Sequence, residues 1–209
     1  MLRSRMRWLP ALAAWIGLAI LSACSGQAAQ WHGSPYAHPK PAPGFDLRAT
    51  DGRPIGLTDF AGAPLLLYFG YTSCPDFCPT TLADLSWVFG ELGDQDRRAN
   101  VLFVTVDPER DTDERLASYL GRFHSDFVGA RALDNAALQE MLDSYAAYAQ
   151  QDPVEAHEHA EDPVQPITFT HSARVFLIDG AGRMVTSYPF GTPREEILSD
   201  LRVAIGSSG

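Results

Sequence analysis

Two apolar runs of strand length, separated by a helical segment, constrain the fold of this chain most strongly. The runs Pro64–Tyr71 (PLLLYFGY) and Asn100–Val106 (NVLFVTV) are apolar almost throughout, which is typical of strands covered on both faces. Between them, Thr81–Leu92 carries apolar residues at three- and four-residue spacing and ends at Gly93, as amphipathic helices do. This order predicts parallel strands joined by a crossover helix.

The remaining periodic segments complete an α/β domain. Two more helices are predicted over Asp111–Phe123 and Asp134–Tyr148, and a last helix is expected to open at Thr192 with a capping box. Three further features predict antiparallel structure: a hairpin at Asp51-Gly52, a long strand over Ile167–Ile178, and its hairpin partner Met184–Tyr188. We therefore predict a thioredoxin-like α/β fold, with a central mixed sheet flanked by helices and an N-terminal β-hairpin.

Composition and charge exclude several classes of function. A chain of 209 residues that is 45% hydrophobic and 20% charged matches one globular domain, not a disordered or multi-span membrane protein. The formal net charge is −10, and no cluster of Lys or Arg occurs beyond the first seven residues. Because binding to a phosphate backbone requires such clusters, nucleic acid is excluded as a partner.

The N-terminus has the pattern of an export signal. Three arginines precede the apolar run Trp8–Ala23, whose 16 residues fall short of a membrane-spanning helix. A permanent transmembrane anchor is the alternative. The run closes with Leu-Ser-Ala-Cys, which resembles a bacterial lipobox and implies cleavage after residue 23 and a lipid on Cys24. We expect residues 1–23 to be a lipoprotein signal peptide, and the mature protein to be lipid-anchored on the periplasmic side of a bacterial cell membrane.

The chain that follows Cys24 is predicted to be a flexible tether. Ser25–Pro43 contains four prolines and shows no hydrophobic periodicity. His32 and His38 fall within it. The tether is therefore expected to span residues 24–43 and the folded domain residues 44–209.

Two cysteines follow the first apolar run, in the segment TSCPDFCPTT, where α/β domains usually place their sites. Pro79 would clash inside a helix that already ran from Pro75, so the next helix should begin near Pro79. Cys78 then lies at the helix N-terminus, which favours a thiolate, and Cys74 lies in the loop. A structural disulfide between them is feasible, although so short a loop gains little stability from one.

Two such thiolates suit a soft metal ion. Cu(I) prefers thiolate ligands, and one imidazole would complete a three-coordinate site able to hold copper in either oxidation state. Of the six histidines, His171 alternates in phase with Phe169 and Val175, so it is expected on the buried face of the long strand, near the cysteine loop. From its position alone, His171 is either a metal ligand or a hydrogen-bonded core histidine.

Three segments together resemble the Sco/SenC family: FGYTSCPDFCPTT, TVDPERDT and THSARVFLIDGAGR. The resemblance covers the chain from about Phe45 onwards, and it implies a membrane-tethered, thioredoxin-fold copper protein whose ligands map onto Cys74, Cys78 and His171. It also implies assembly of the dinuclear copper centre of cytochrome c oxidase subunit II, with copper as Cu(I) or Cu(II) received from an upstream donor protein. The family commonly has an acidic residue directly before the histidine, where this chain has Thr170.

Two functions remain open from the sequence. The first is a metallochaperone that delivers copper to subunit II by ligand exchange, without enzymatic turnover. The second is a thiol-disulfide oxidoreductase, in which Cys74 and Cys78 reduce the cysteines of that subunit before metallation. Separately, His157 and His159 lie in an acidic stretch, which either captures further metal or is an ordinary solvated loop.

Overall fold

The computed structural model describes residues 31–93, 98–151 and 169–207. The predicted signal peptide, Cys24 and the first part of the tether lie outside these residues, as do His157 and His159. The strands are β1 (Ser34–Pro41), β2 (Asp46–Ala49), β3 (Pro54–Gly56), β4 (Leu65–Gly70), β5 (Asn100–Thr105), β6 (Val128–Ala132), β7 (Ala149–Gln151), β8 (Phe169–His171), β9 (Arg174–Ile178) and β10 (Arg183–Pro189). The α-helices are α1 (Phe77–Leu92), α2 (Asp113–Leu120), α3 (Asn135–Ser144) and α4 (Arg194–Ser207).

Eight of these strands form one mixed sheet in the order β1-β10-β9-β4-β5-β6-β2-β3. The central strands β4, β5 and β6 are parallel, and the strands outside them pair antiparallel. This confirms the predicted thioredoxin-like fold with a central mixed sheet. No helix in the three described ranges is long and apolar enough to cross a membrane.

The two faces of the sheet are both covered, as the apolar run of β4 predicts. Every residue of β4 is buried. Tyr68 packs against Phe103 of β5, which contacts Tyr119 of α2. Phe69, which points to the opposite face, contacts Tyr145 just after α3. Because neighbouring residues of a strand point to opposite faces, these contacts place α2 and the end of α3 on different sides of the sheet.

The predicted N-terminal hairpin is present as β2 and β3. Leu47 pairs with Ile55 in its register, and both side chains are buried. The turn is closed by Asp51, whose carboxylate accepts hydrogen bonds from the backbone and side chain of Arg53. Alternation of buried and exposed residues on β2 is the signal that made this element visible in the sequence.

The segment 34–41, which the sequence assigns to a flexible tether, instead forms β1 at the edge of the sheet. It pairs with β10, with a register irregularity between Pro35 and Lys40. An edge strand tolerates proline because its outer N–H groups need no partner. Prolines and the lack of periodicity therefore hid a strand, and the ordered domain begins before residue 44.

Two other elements differ from the sequence prediction. β6 was not predicted, because its sequence VGARA is short and contains a glycine and an arginine. The long strand predicted over 167–178 is interrupted after β8, where the backbone of Ser172 donates to the carbonyl of Tyr148 and the Ser172 hydroxyl accepts from the Tyr148 N–H. These bonds direct β8 towards β7, in a separate two-stranded sheet.

Candidate metal centre

The cysteine loop connects the end of β4 to the start of α1. The helix begins at Phe77, two residues before the proline expected to open it. Pro79 is its third residue, where a backbone N–H has no partner within the helix, so the ring is accommodated. Cys78 consequently lies in the first helical turn, and Cys74 lies in the loop, as predicted.

Cys74, Cys78 and His171 converge on one point. One ligand atom from each residue lies within 4.8 Å of the other two, and Cys78 Sγ is 3.7 Å from His171 Nε2. Neither cysteine forms a disulfide in this structure. The three residues are 7%, 0% and 8% exposed, respectively, so the site lies beneath the surface.

His171 reaches the cysteines from a different element than expected. It lies on β8, paired with Ala149 of β7, and not on a strand of the central sheet. The predicted burial of its side chain is correct. The rings of Tyr68 and Tyr71 pack against the imidazole at centroid distances of 6.5 and 5.7 Å. The tyrosines and the β7–β8 pairing together fix its orientation.

The pKa values of the two cysteines are shifted in opposite directions. The backbone N–H of Cys78 donates to Cys74 Sγ at 3.4 Å. Hydrogen bonding from Cys78 and from His171 outweighs the effect of burial and lowers the pKa of Cys74 to about 4. The hydrogen bond with Cys74 and burial raise the pKa of Cys78 well above its usual value. The pair therefore holds one thiolate and one proton, with the charge on the more exposed sulfur.

Nδ1 of the His171 ring has no hydrogen-bond partner among the residues that the structure describes. Nδ1 is buried, and it is one of three such side-chain atoms in the described part of the chain. The side chain of Thr170 is exposed, on the other face of β8. In proteins, a metal-bound imidazole usually donates its second N–H to a neighbouring group, which the described residues do not supply here.

One buried acid that was not predicted from the sequence, Asp111, holds the cysteine loop in place. Asp111 is fully buried, and its carboxylate accepts from the Thr72 backbone at 2.9 Å and from the hydroxyls of Thr72 and Thr105. Arg115 of α2 adds hydrogen bonds to Thr72 and Ser73. The Asp-x-x-Glu pattern predicts a helix cap at Asp111, but Thr112 takes that role. Only the three-dimensional packing shows that Asp111 joins the loop to the end of β5.

The donor set determines which ions the site can hold. Two sulfurs and one imidazole suit soft and borderline ions, copper above all. Three ligands are fewer than the four that close a structural zinc site, so an ion held here remains open to exchange. The geometry fits a transfer site better than a structural one.

Comparison with known proteins agrees with this geometry. The SCO1/SenC family model matches residues 35–206. The mitochondrial SCO2 homolog of Bos taurus is 34% identical over 162 residues, which cover 76% of this chain and 57% of the bovine protein.

Two solved structures have the same fold. The copper-bound ScoI of Bradyrhizobium japonicum is 32% identical with a TM-score of 0.68, over 78% of this chain and 98% of that one. The apo Sco1 protein of Thermus thermophilus is 30% identical with a TM-score of 0.70, over 85% and 99%. The cysteine loop, the buried histidine and these matches together show that the chain belongs to the SCO1/SenC family.

Proposed function

We propose that this protein is a copper metallochaperone. The observation that carries the proposal is the convergence of Cys74, Cys78 and His171 on one buried point. The solved ScoI protein that is 32% identical to this chain holds copper. The two sulfurs would bind Cu(I), and the imidazole would add the nitrogen ligand that stabilises Cu(II).

The recipient and the location follow from the family resemblance and the N-terminal sequence. Copper would pass by ligand exchange to cytochrome c oxidase subunit II, after its receipt from an upstream donor protein. A lipid on Cys24 would hold the protein on the periplasmic side of the bacterial cell membrane. Delivery needs no bond making or breaking in the recipient other than metal–ligand exchange, so the role is not enzymatic.

A titration with Cu(II) tests the proposed ligands. We expect one equivalent added to the reduced protein to produce visible sulfur-to-copper charge transfer. That absorption should be absent from Cys74→Ser and Cys78→Ser and lost or shifted in His171→Ala. His124→Ala is the matched control, because His124 lies outside the site and should leave the spectrum unchanged. An unaltered spectrum in His171→Ala would remove the imidazole from the ligand set.

A second function, thiol-disulfide exchange, is favoured by the lowered pKa of Cys74. Its thiolate would attack one sulfur of an oxidised recipient and form a mixed disulfide. Cys78 would then lose its proton and attack Cys74 Sγ, which releases the second recipient thiol and leaves a Cys74–Cys78 disulfide. Two electrons pass to the recipient. Thiol counting on oxidised subunit II mixed with the reduced, metal-free protein tests this, and no gain in recipient thiols would exclude it.

A further inference from the structure

Large exposed hydrophobic side chains concentrate around the metal centre. Five occur in the described residues, and three of them are aromatic residues close in the structure to the ligands: Phe77, Tyr148 and Phe190, which are 48%, 55% and 44% exposed. We call these three the aromatic rim. The other two are Leu133, directly after β6, and Val203 on α4.

Each member of the rim is connected directly to a ligand-bearing segment. Phe77 immediately precedes Cys78. Its ring meets that of Phe190 edge-on, at a centroid distance of 4.7 Å. The N–H of Phe190 donates to the carbonyl of Ala173, two residues after His171. Tyr148 is hydrogen-bonded in both directions to Ser172, the residue that follows His171.

The rim is not needed to build the core. A buried aromatic side chain stabilises a fold through the apolar area that it removes from water, but these rings leave about half of theirs in solvent. Exposed apolar groups that are clustered, not scattered, mark surfaces that bind other molecules. Aromatic residues are also the side chains most enriched at the energetic centres of protein interfaces.

Because the metal ligands are buried, a molecule that receives the metal must contact the protein surface around them. Cys78 is fully buried and His171 nearly so, yet a metal–sulfur bond is only about 2.3 Å long. A recipient ligand can therefore reach a bound ion only if the surrounding surface of the recipient covers the rim.

We propose that the aromatic rim is the docking surface for the protein that receives the metal. The recipient would present its own ligands on a protruding loop bordered by apolar side chains, which contact Phe77, Tyr148 and Phe190. This inference rests on the proposed metallochaperone function and adds the surface through which it acts.

The test separates docking from metal binding. Phe77→Ala, Phe190→Ala, Tyr148→Ala and the triple variant are compared with Val203→Ala, the matched control, which is 42% exposed on α4. Two quantities are measured: the dissociation constant between each metal-free protein and the soluble copper domain of oxidase subunit II, and the rate of Cu(I) transfer to that domain. We expect the triple variant to bind about tenfold more weakly or worse and to transfer copper correspondingly slowly. Val203→Ala should match the unsubstituted protein in both.

Three results would overturn the proposal. The first is equal affinity and transfer rate in the triple variant and Val203→Ala. The second is loss of vesicle binding by the rim variants with transfer unchanged, which would assign the rim to lipid. The third is a shift from dimer to monomer on sedimentation with transfer unchanged, which would assign it to self-association. Absence of copper binding in the unsubstituted protein would instead refute the metallochaperone function, while the affinity of the metal-free proteins still tests the rim.

Discussion

Two histidines in this domain occupy opposite kinds of environment. His32 contacts one carboxylate twice: Nδ1 lies 2.7 Å from an oxygen of the buried Asp200, and the backbone N–H of His32 donates to the other oxygen. The Tyr188 hydroxyl donates to the same carboxylate at 2.8 Å. His171 is buried, yet its Nδ1 has no partner within 31–93, 98–151 or 169–207, and its Nε2 faces a sulfur.

The difference shows how a histidine with a structural role can be distinguished from one that binds a metal ion. Around Asp200, each donor has an acceptor, and the cluster fixes the start of the domain against α4. Around His171, the strongest electron donors point at one another, an arrangement that only a cation or a proton relieves. The combination of an unpartnered buried imidazole nitrogen and two converging sulfurs therefore distinguishes His171 from a structural histidine.

The largest expected effect comes from reshaping the metal centre without touching a ligand. A Cβ on Gly70 would lie 2.7 Å from Cys78 Sγ and 2.8 Å from the ring of Phe103, so Gly70→Ala must displace the sulfur, the ring or the strand. We expect the affinity for Cu(I) to fall by about 10- to 100-fold, as for other changes that misplace a metal ligand.

Gly90→Ala is its matched control. A Cβ at Gly90, inside α1, meets nothing within 4 Å. It should leave the affinity unchanged and stabilise the helix by about 0.5–1 kcal/mol. Competition with a chromophoric Cu(I) chelator measures the affinity of both variants, and equal affinities would contradict the close contact at Gly70.

A change at the hydrogen-bonded cluster around Asp200 should have the opposite effect: it should lower the stability of the fold and leave copper binding unchanged. Asp200→Asn keeps the shape of the side chain but leaves at least one of its donors without an acceptor in a buried position. The free energy of unfolding in urea should fall by about 2 kcal/mol. The stoichiometry and spectrum of bound copper should not change. A copper site weakened in parallel with stability would show that the two regions are coupled.

The pH dependence of stability should identify the charge on His32. Hydrogen bonding to Asp200, and attraction to its charge, raise the pKa of His32 in the folded state. The pair therefore contributes its full stability below the unfolded pKa of about 6.5, and loses it as pH rises through the higher folded value. Urea denaturation should show that His32→Gln is less stable than the unsubstituted protein at pH 6, with the difference shrinking towards pH 9. A constant difference would mean that the imidazole acts only as a neutral partner.

The smallest effect is expected for Thr170→Asp, which restores the acid common before the family histidine. Residues 170 and 171 point to opposite faces of β8, and the side chain of Thr170 is exposed. A carboxylate there has no direct path to Nδ1. Because an exposed charge contributes little interaction energy, the affinity for Cu(II) should change less than about threefold. A larger gain would indicate that β8 rearranges when metal binds.

Much of the fold was predictable because its signals are local. The runs at β4 and β5 and the spacing of Leu82, Leu85 and Phe89 on α1 identify their elements directly, and these residues are buried as predicted apart from the half-buried Asn100. The cysteine loop also carries a local signal in its prolines. β1 and β6 were missed because their neighbours in the sheet, and not their own sequences, hold them in place.

The site was only partly predictable from the sequence, because several of its contacts join residues that are far apart in the chain. Burial of His171 follows from alternation, but its approach to the sulfurs depends on β7, which is too short to predict. The role of Asp111 depends on contacts with Thr72 and Thr105, which lie on other segments. His32 was assigned to the tether because its partner, Asp200, lies far away in the sequence and the residues around His32 give no sign of that contact.

The pairing of β1 also determines where the protein can be held. Ser34 lies opposite Ser187 near the end of β10, and β10 runs in the same direction as β4 because both are antiparallel to β9. The polypeptide therefore enters the domain on the side that carries the thiols. Cys24, the proposed lipid attachment point, is seven residues before Trp31, a reach of at most about 25 Å. If Cys24 carries the proposed lipid, a metal ion bound at the thiols would stay close to the bilayer surface.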